Sequence, residues 1–238
     1  MSNYKDESFE ILEEDKTEEQ IQQKLRLGFI RKVYGIIAFQ LLITTVVIYF
    51  TVTSKVIQQF MVLNPALMYL FLAGAILTEI PIFCCQSVAN KVPLNYVLLL
   101  IFTACESYLV AYITIFYEPT SVLMCAGITF AIVLGLTIYA IFTKTDVTMC
   151  GGALASFSII LIILTIIGIF YTSLFYQALV NSCGVFLFSI YLIYDTQLVI
   201  GNKKNFISTD SYIIGALMIY VDIVALFIRI LKLFGKKK

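Results

Sequence analysis

Seven continuous apolar runs, at about 33–53, 62–85, 94–117, 119–142, 151–171, 174–200 and 212–234, constrain this chain more than any other feature. An α-helix rises about 1.5 Å per residue, so each run reaches across a hydrocarbon core about 30 Å thick. In lipid the backbone must satisfy its own hydrogen bonds, which leaves helices or closed barrels. A barrel would show short segments of alternating polarity, and these runs are unbroken. The links are short, so neighbouring helices are antiparallel. Composition agrees: 61% of the 238 residues are hydrophobic and 13% charged, against roughly 25% charged in soluble domains. The mean hydropathy is +0.96. The expected fold is all-α: a polytopic membrane protein, a seven-helix bundle in one membrane domain over residues 29–238.

Residues 1–28 read differently. Eight acidic side chains lie between Asp6 and Glu19, against Lys5 and Lys16. This does not resemble a signal peptide, which needs a basic start and a short apolar core. A disordered, solvated cytosolic tail is expected. It turns basic at Lys24, Arg26, Arg31 and Lys32, just before the first span.

Basic residues at the span ends set orientation. Beyond the N-terminal four they fall on even-numbered links, at Lys91, Lys144, Lys203 and Lys204, against Lys55 alone on an odd link. A cytosolic N-terminus follows. Seven full crossings then put Lys236, Lys237 and Lys238 on the far side, against the same rule. A last segment that enters and returns is the alternative. That segment carries Asp222 and Arg229, so in either case it belongs at the centre of the bundle. Pro81, inside the second run, is expected to end or kink it.

Composition excludes several chemistries. The chain has no histidine, so it holds neither a His-ligated zinc nor a Ser-His-Asp triad. The net charge of +1 gives no basic patch for nucleic acid. The cysteines at 84, 85, 105, 125, 150 and 183 follow no metal spacing; they read as reduced apolar filler, with palmitoylation of Cys84 or Cys85 as the other reading. No cofactor is expected.

Four carboxylates lie in the apolar runs: Glu79, Glu106, Asp195 and Asp222. An ionisable group near a bilayer centre costs about 2.5–3.5 kcal/mol on insertion scales, so such residues mark functional sites by default. Asp195 and Asp222 sit on consecutive helices and suggest a shared site. Two carboxyls in a low dielectric disfavour double ionisation and share one proton. Singly protonated, the pair is a closed clasp. Doubly ionised, it repels and offers oxygens suited to Ca²⁺. Measured from the run ends, Asp195 lies about 7 Å deep and Asp222 about 15 Å, a gap the geometry has to close.

Gly215, Asp222 and Arg229 share one helical face, and Asn181, Gly184, Phe188, Tyr191 and Asp195 form a partly polar stripe on the preceding helix. Arg229 is about 10.5 Å along the axis from Asp222, too far for a pair within the helix. It is a candidate latch for a carboxylate on another helix, such as Glu106, or snorkels to the interface. Tyr191, Tyr194 and Tyr220 flank the acids as candidate donors. The bland alternative is a buried acid pair that only specifies the fold.

Ordered fragments carry a resemblance. Phe29-Ile-Arg-Lys-Val-Tyr34 leads into the first span, and Pro93-Leu-Asn95 and Phe102-Thr-Ala-Cys-Glu106 lie on the third. Gly135-Leu-Thr-Ile-Tyr139, Ile193-Tyr-Asp-Thr-Gln197 and Tyr220-Val-Asp222 follow. Together, over residues 29–234, they resemble the Bax-inhibitor-motif (lifeguard) family, most closely its Golgi anti-apoptotic branch. The resemblance implies seven helices with the last one central, in Golgi or endoplasmic reticulum membranes. It implies a pH-sensitive calcium leak that lowers stored Ca²⁺ and inhibits apoptosis. The family's paired aspartates fall on Asp195 and Asp222. Its bacterial members latch that pair with an arginine on the second helix, and residues 62–85 here contain neither Arg nor Lys.

The expected function is therefore a non-enzymatic Ca²⁺ leak in which Asp195, Asp222 and Glu106 form the ion pathway and pH gate. Flux is expected to rise as the pair deprotonates. A non-conducting scaffold that acts through apoptosis-regulating partners, or through self-association, is the second reading. An intramembrane aspartyl protease is the third. Tyr194-Asp195 fits it, but the second site reads Ile219-Tyr-Val-Asp222 where that chemistry needs Gly-x-Gly-Asp.

Overall fold

The computed structural model describes residues 2–171, 173–201, 203 and 205–238, and the side chains from Gln20 onward apart from that of Gln86. Helix α1 covers Ser2–Thr53, α2 Lys55–Leu63, α3 Pro65–Cys84 and α4 Gln86–Ala89. Helix α5 covers Leu94–Thr114 and α6 Pro119–Phe142. A 3₁₀ turn at Val147–Cys150 leads into α7, Gly151–Phe170, followed by α8, Leu174–Ile200, and α9, Tyr212–Phe234. Seven helices among the described residues are long and apolar enough to cross a membrane. The all-α polytopic fold is as expected.

Local chemistry sets the breaks. Ser54 ends α1 and caps α2, its hydroxyl accepting from the Ile57 amide. Pro65 and Pro119 open α3 and α6, where a missing amide costs nothing. Gly201 closes α8 at φ 73°, a left-handed backbone suited to glycine, and its amide donates to the Gln197 carbonyl. Pro81 does not end α3: the helix runs on to Cys84, and the Cys85 amide donates back to the Pro81 carbonyl. The acidic segment expected as a separate, disordered tail is helical backbone continuous with α1. Its side chains lie outside the described ones.

Helix α9 is the axis. It is 61% buried over its most apolar stretch, against 44% for α5 and α8 and 11–22% for the other four spans. Ile213, Ala216, Leu217, Tyr220, Leu226 and Leu231 on it are wholly buried. Helices α1, α3 and α5 pack together on one side of it, and α6, α7 and α8 on the other.

The two ends of the bundle can be told apart. At one end Arg26, Tyr96 and Lys32 meet the start of α9 and the turn after α8: Lys32 Nζ lies 3.9 Å from the centroid of the Tyr212 ring. At the other end the C-terminal segment after α9 pairs with the α5–α6 link through one isolated bridge, Tyr117 to Lys237. The Glu118 amide donates to the Lys236 carbonyl at 2.9 Å and the Lys238 amide to the Phe116 carbonyl at 3.0 Å. Lys238 Nζ reaches Gln58 Oε1 at 3.2 Å, just beyond the end of α1. Helix α9 thus travels the full length of the bundle as one unbroken helix, and the re-entrant alternative is overturned. The terminal lysines lie at the end opposite Arg26.

Candidate functional site

Asp195 of α8 and Asp222 of α9 meet in the interior, 4% and 5% exposed. Their carboxyl groups lie within hydrogen-bonding and electrostatic reach of each other. A hydrogen bond between two carboxyls requires one proton between them. Asp195 Oδ1 and Asp222 Oδ2 are buried and have no hydrogen-bond donor among the described residues.

The depth mismatch closes because of where α8 and α9 touch. A Cβ placed on Gly215 would meet Val199 at 3.1 Å, Val33 at 3.6 Å and Phe29 at 3.7 Å. The missing side chain therefore lets α8 and α1 settle on α9 at that level. From this contact Asp195 is four residues back along α8, about 6 Å, and Asp222 seven residues along α9, about 10.5 Å. The remaining offset is within side-chain reach.

Glu106 does not join this pair. It lies within electrostatic reach of Glu79 of α3 and of Tyr220 of α9. The expected three-carboxylate pathway is thus two separate sites. Arg229 does not latch a carboxylate either. Its guanidinium lies toward the opposite end of the bundle, donating to Asn181 Oδ1 and Thr165 Oγ1, each at 3.3 Å.

The flanking tyrosines also point elsewhere. Successive residues on an α-helix turn by about 100°, so Tyr194 and Tyr220 cannot share a face with Asp195 and Asp222. The Tyr194 hydroxyl lies where a Gly151 side chain would be, 2.8 Å from an ideal Cβ. Tyr191 shares the face more nearly, but its hydroxyl pairs with Ser158 of α7 at 2.9 Å. Tyr220 joins Thr44 of α1 at 2.8 Å, and Thr44 joins Ser107 of α5 at 2.9 Å. Gln40 donates to Thr103 at 2.9 Å one turn away. This buried polar column between α1, α5 and α9 was not anticipated. Its signal was available: Gln40 and Thr44, like Thr103 and Ser107, lie four apart on otherwise apolar runs.

A second unanticipated feature closes the end of α8. Arg26 Nε donates to the Ile200 carbonyl at 3.0 Å and Nη2 to the Leu198 carbonyl at 2.6 Å. Its remaining terminal nitrogen donates to the Ile207 carbonyl beyond the turn. The last carbonyls of a helix lack partners within it and carry partial negative charge, so a guanidinium suits them. Phe29 and Phe206 flank the cation at 4.8 and 5.6 Å. Beside it, Gln197 is wholly buried, donating to the Thr145 carbonyl and accepting from the Val147 amide. Helix α8 is therefore tied to α1, to the α6–α7 link and to the turn before α9, all within two turns of Asp195.

No cluster of three or more metal-ligating side chains occurs among the described residues.

Comparison with known proteins agrees with this architecture. Residues 26–238 match the family model described as inhibitor of apoptosis-promoting Bax1. The chain is similar to protein lifeguard 3 of Homo sapiens, 35% identical over 219 residues, covering 90% of this chain and 70% of that one. It is also similar to protein lifeguard 4 of Mus musculus, 34% identical over 208 residues, covering 87% and 84% respectively. The two identities are nearly equal and do not single out a branch. The match spans all seven membrane helices and both aspartates, and the chain belongs to the Bax inhibitor (lifeguard) family of membrane proteins.

Proposed function

We propose that this protein is a pH-sensitive calcium leak of intracellular membranes, Golgi or endoplasmic reticulum, that lowers stored Ca²⁺ and thereby inhibits apoptosis. The observation that carries the reading is the Asp195–Asp222 pair: two buried carboxyls close enough to share one proton, with one buried oxygen on each left without a partner. A fold that needed only stability would gain by satisfying those oxygens or by using apolar residues.

With one shared proton the two helices are clasped through the pair. When that proton leaves, two like charges face each other in a medium that screens them poorly, and the closed arrangement loses stability. The same carboxylates then become ligands for a passing divalent cation. The sign is fixed by this chemistry: conductance rises as pH rises through the titration of the pair. Asp195 and Asp222 form the gate and transient ligand set. Glu106, within electrostatic reach of Glu79, is a separate acidic station rather than part of the gate. The reading is non-enzymatic, with the N-terminus in the cytosol.

The test is Ca²⁺ influx into liposomes that hold the purified protein and an enclosed dye, from mildly acidic to mildly alkaline pH. Wild type runs beside Asp195→Asn and Asp222→Asn. The expected result is flux that rises with pH in the wild type and loses that dependence in both variants. Folded protein with no flux above empty liposomes would overturn the leak and favour a scaffold that acts through protein partners.

A further inference from the structure

At the end of the bundle opposite Arg26, a cavity of about 250 Å³ opens between α7, α8 and α9. Three cations line it: Arg229 and Lys232 from α9 and Lys237 from the segment after it. No carboxylate does, among the described residues. Glu118, next to the lining residue Tyr117, is already paired with Lys236 at 2.9 Å. Lys232 lies within electrostatic reach of both Arg229 and Lys237. Three like charges held together repel one another, and no carboxylate among the described lining residues offsets them.

The cavity is also built, not incidental. A Cβ on Gly184 would stand 2.9 Å from Arg229 Cδ and Nε, so the arginine stem occupies the space of an absent side chain. Asn181 and Thr165 hold the guanidinium through two oxygens, both neutral. Gln177 adds a further polar group to the wall. A planar guanidinium with two flexible ammonium groups matches the tetrahedral oxygens of a phosphate. The site also bears on orientation, because terminal lysines on the far side of the membrane oppose the usual charge bias. A bound anion would offset that charge.

We propose that this cavity binds a phosphate-bearing anion, held by Arg229, Lys232 and Lys237. Its source is either a lipid headgroup from the adjoining leaflet or a phosphate in solution. The proposal does not depend on the calcium reading, since the cavity lies away from the Asp195–Asp222 pair.

The experiment is thermal melting of the full-length protein in phosphatidylcholine nanodiscs, alone, with phosphatidic acid mixed in, or with added inorganic phosphate. Arg229 is packed between helices and its replacement risks misfolding, so Lys232→Gln with Lys237→Gln carries the test. Lys91→Gln, an exposed cation at the other end, is the control. A higher melting temperature with phosphatidic acid alone assigns the site to a lipid headgroup, and one with inorganic phosphate assigns it to a soluble anion. In either case the lysine variant is expected to lose apparent affinity by about tenfold or more per lost contact, while Lys91→Gln keeps it. No stabilisation by either probe, or stabilisation that survives in the lysine variant, would overturn the proposal.

Discussion

Arg26 lies where a side chain on Gly201 would have to be, and the two residues form one device at the end of α8. Glycine alone takes the left-handed turn without strain, and glycine alone leaves room for the guanidinium. Gly201→Ala is expected to cost about 1–3 kcal/mol from backbone strain and from displacing the arginine. Arg26→Ala removes donors from three carbonyls and is expected to cost at least about 1.5–3 kcal/mol. The two losses overlap, so the double variant is expected to melt above the sum of the single effects. Melting curves for all four proteins in one detergent check this, and strict additivity would separate the two residues.

The aspartate pair predicts an asymmetry between substitutions. An asparagine amide can donate to the carboxylate that remains, so Asp195→Asn and Asp222→Asn are expected to fold with small losses. Leucine at one position leaves a buried carboxyl with no partner and is expected to cost about 1–3 kcal/mol. Leucine at both positions removes the problem and is expected to regain stability relative to either single change. Denaturation of the five variants beside the wild type would show the order, and a double leucine variant less stable than both singles would sink it.

Much of this molecule was legible in its sequence, and the reason is lipid. Where no water can satisfy the backbone, an apolar run of the right length has one outcome, and six of the seven expected spans match helices to within a few residues. The central place of α9 was also readable, because Asp222 and Arg229 need shelter. The two aspartates were found by the same argument from cost. What sequence left open was lateral: which face of each helix meets which neighbour. Glu106 and Arg229 were assigned to the site by type and depth, and the packing sends one toward α3 and the other toward α7. Such choices depend on small residues such as Gly184 and Gly215, whose role appears only when the partner side chain is seen filling the space. The Arg26 contact was hidden for another reason. It joins residues more than 170 positions apart and follows no local spacing.

The polar column gives an independent check on the gate. Tyr220→Phe removes the hydroxyl that meets Thr44, and Thr44→Val removes the link to Ser107 as well. Each loss is expected to cost about 0.5–1.5 kcal/mol. The pair should show a coupling energy in a double-mutant cycle because the residues touch. Tyr220 points away from Asp222, so Tyr220→Phe is expected to leave the pH midpoint of flux where it was. A moved midpoint would tie the column to the gate.

Seven full crossings make a topological prediction. The segment after α9 pairs with the α5–α6 link, at the end where α1 finishes, so the two flanks of the membrane domain lie on opposite sides. Epitope tags at the N- and C-termini, probed by protease in sealed vesicles, are expected to differ in protection. Equal accessibility of both tags would restore the re-entrant alternative for α9.

Gly184 offers the sharpest steric test of the far end of the bundle. It sits on α8 facing Arg229, and an added methyl group would stand 2.9 Å from the arginine Cδ and Nε and 3.2 Å from Cγ. These are stem atoms in the middle of a side chain held at its tip by Asn181 and Thr165, so they cannot swing aside while both contacts persist. Either the contacts break or α8 and α9 move apart, and overpacking of this kind costs about 1–3 kcal/mol. Gly184→Ala is therefore expected to lower the melting temperature, and Arg229→Met placed beside it is expected to recover part of the loss, because an unbranched apolar stem can repack. Gly184→Ala with undiminished stability would mean that Arg229 is free to leave the site, and the melting curves of the single and double variants decide between the two.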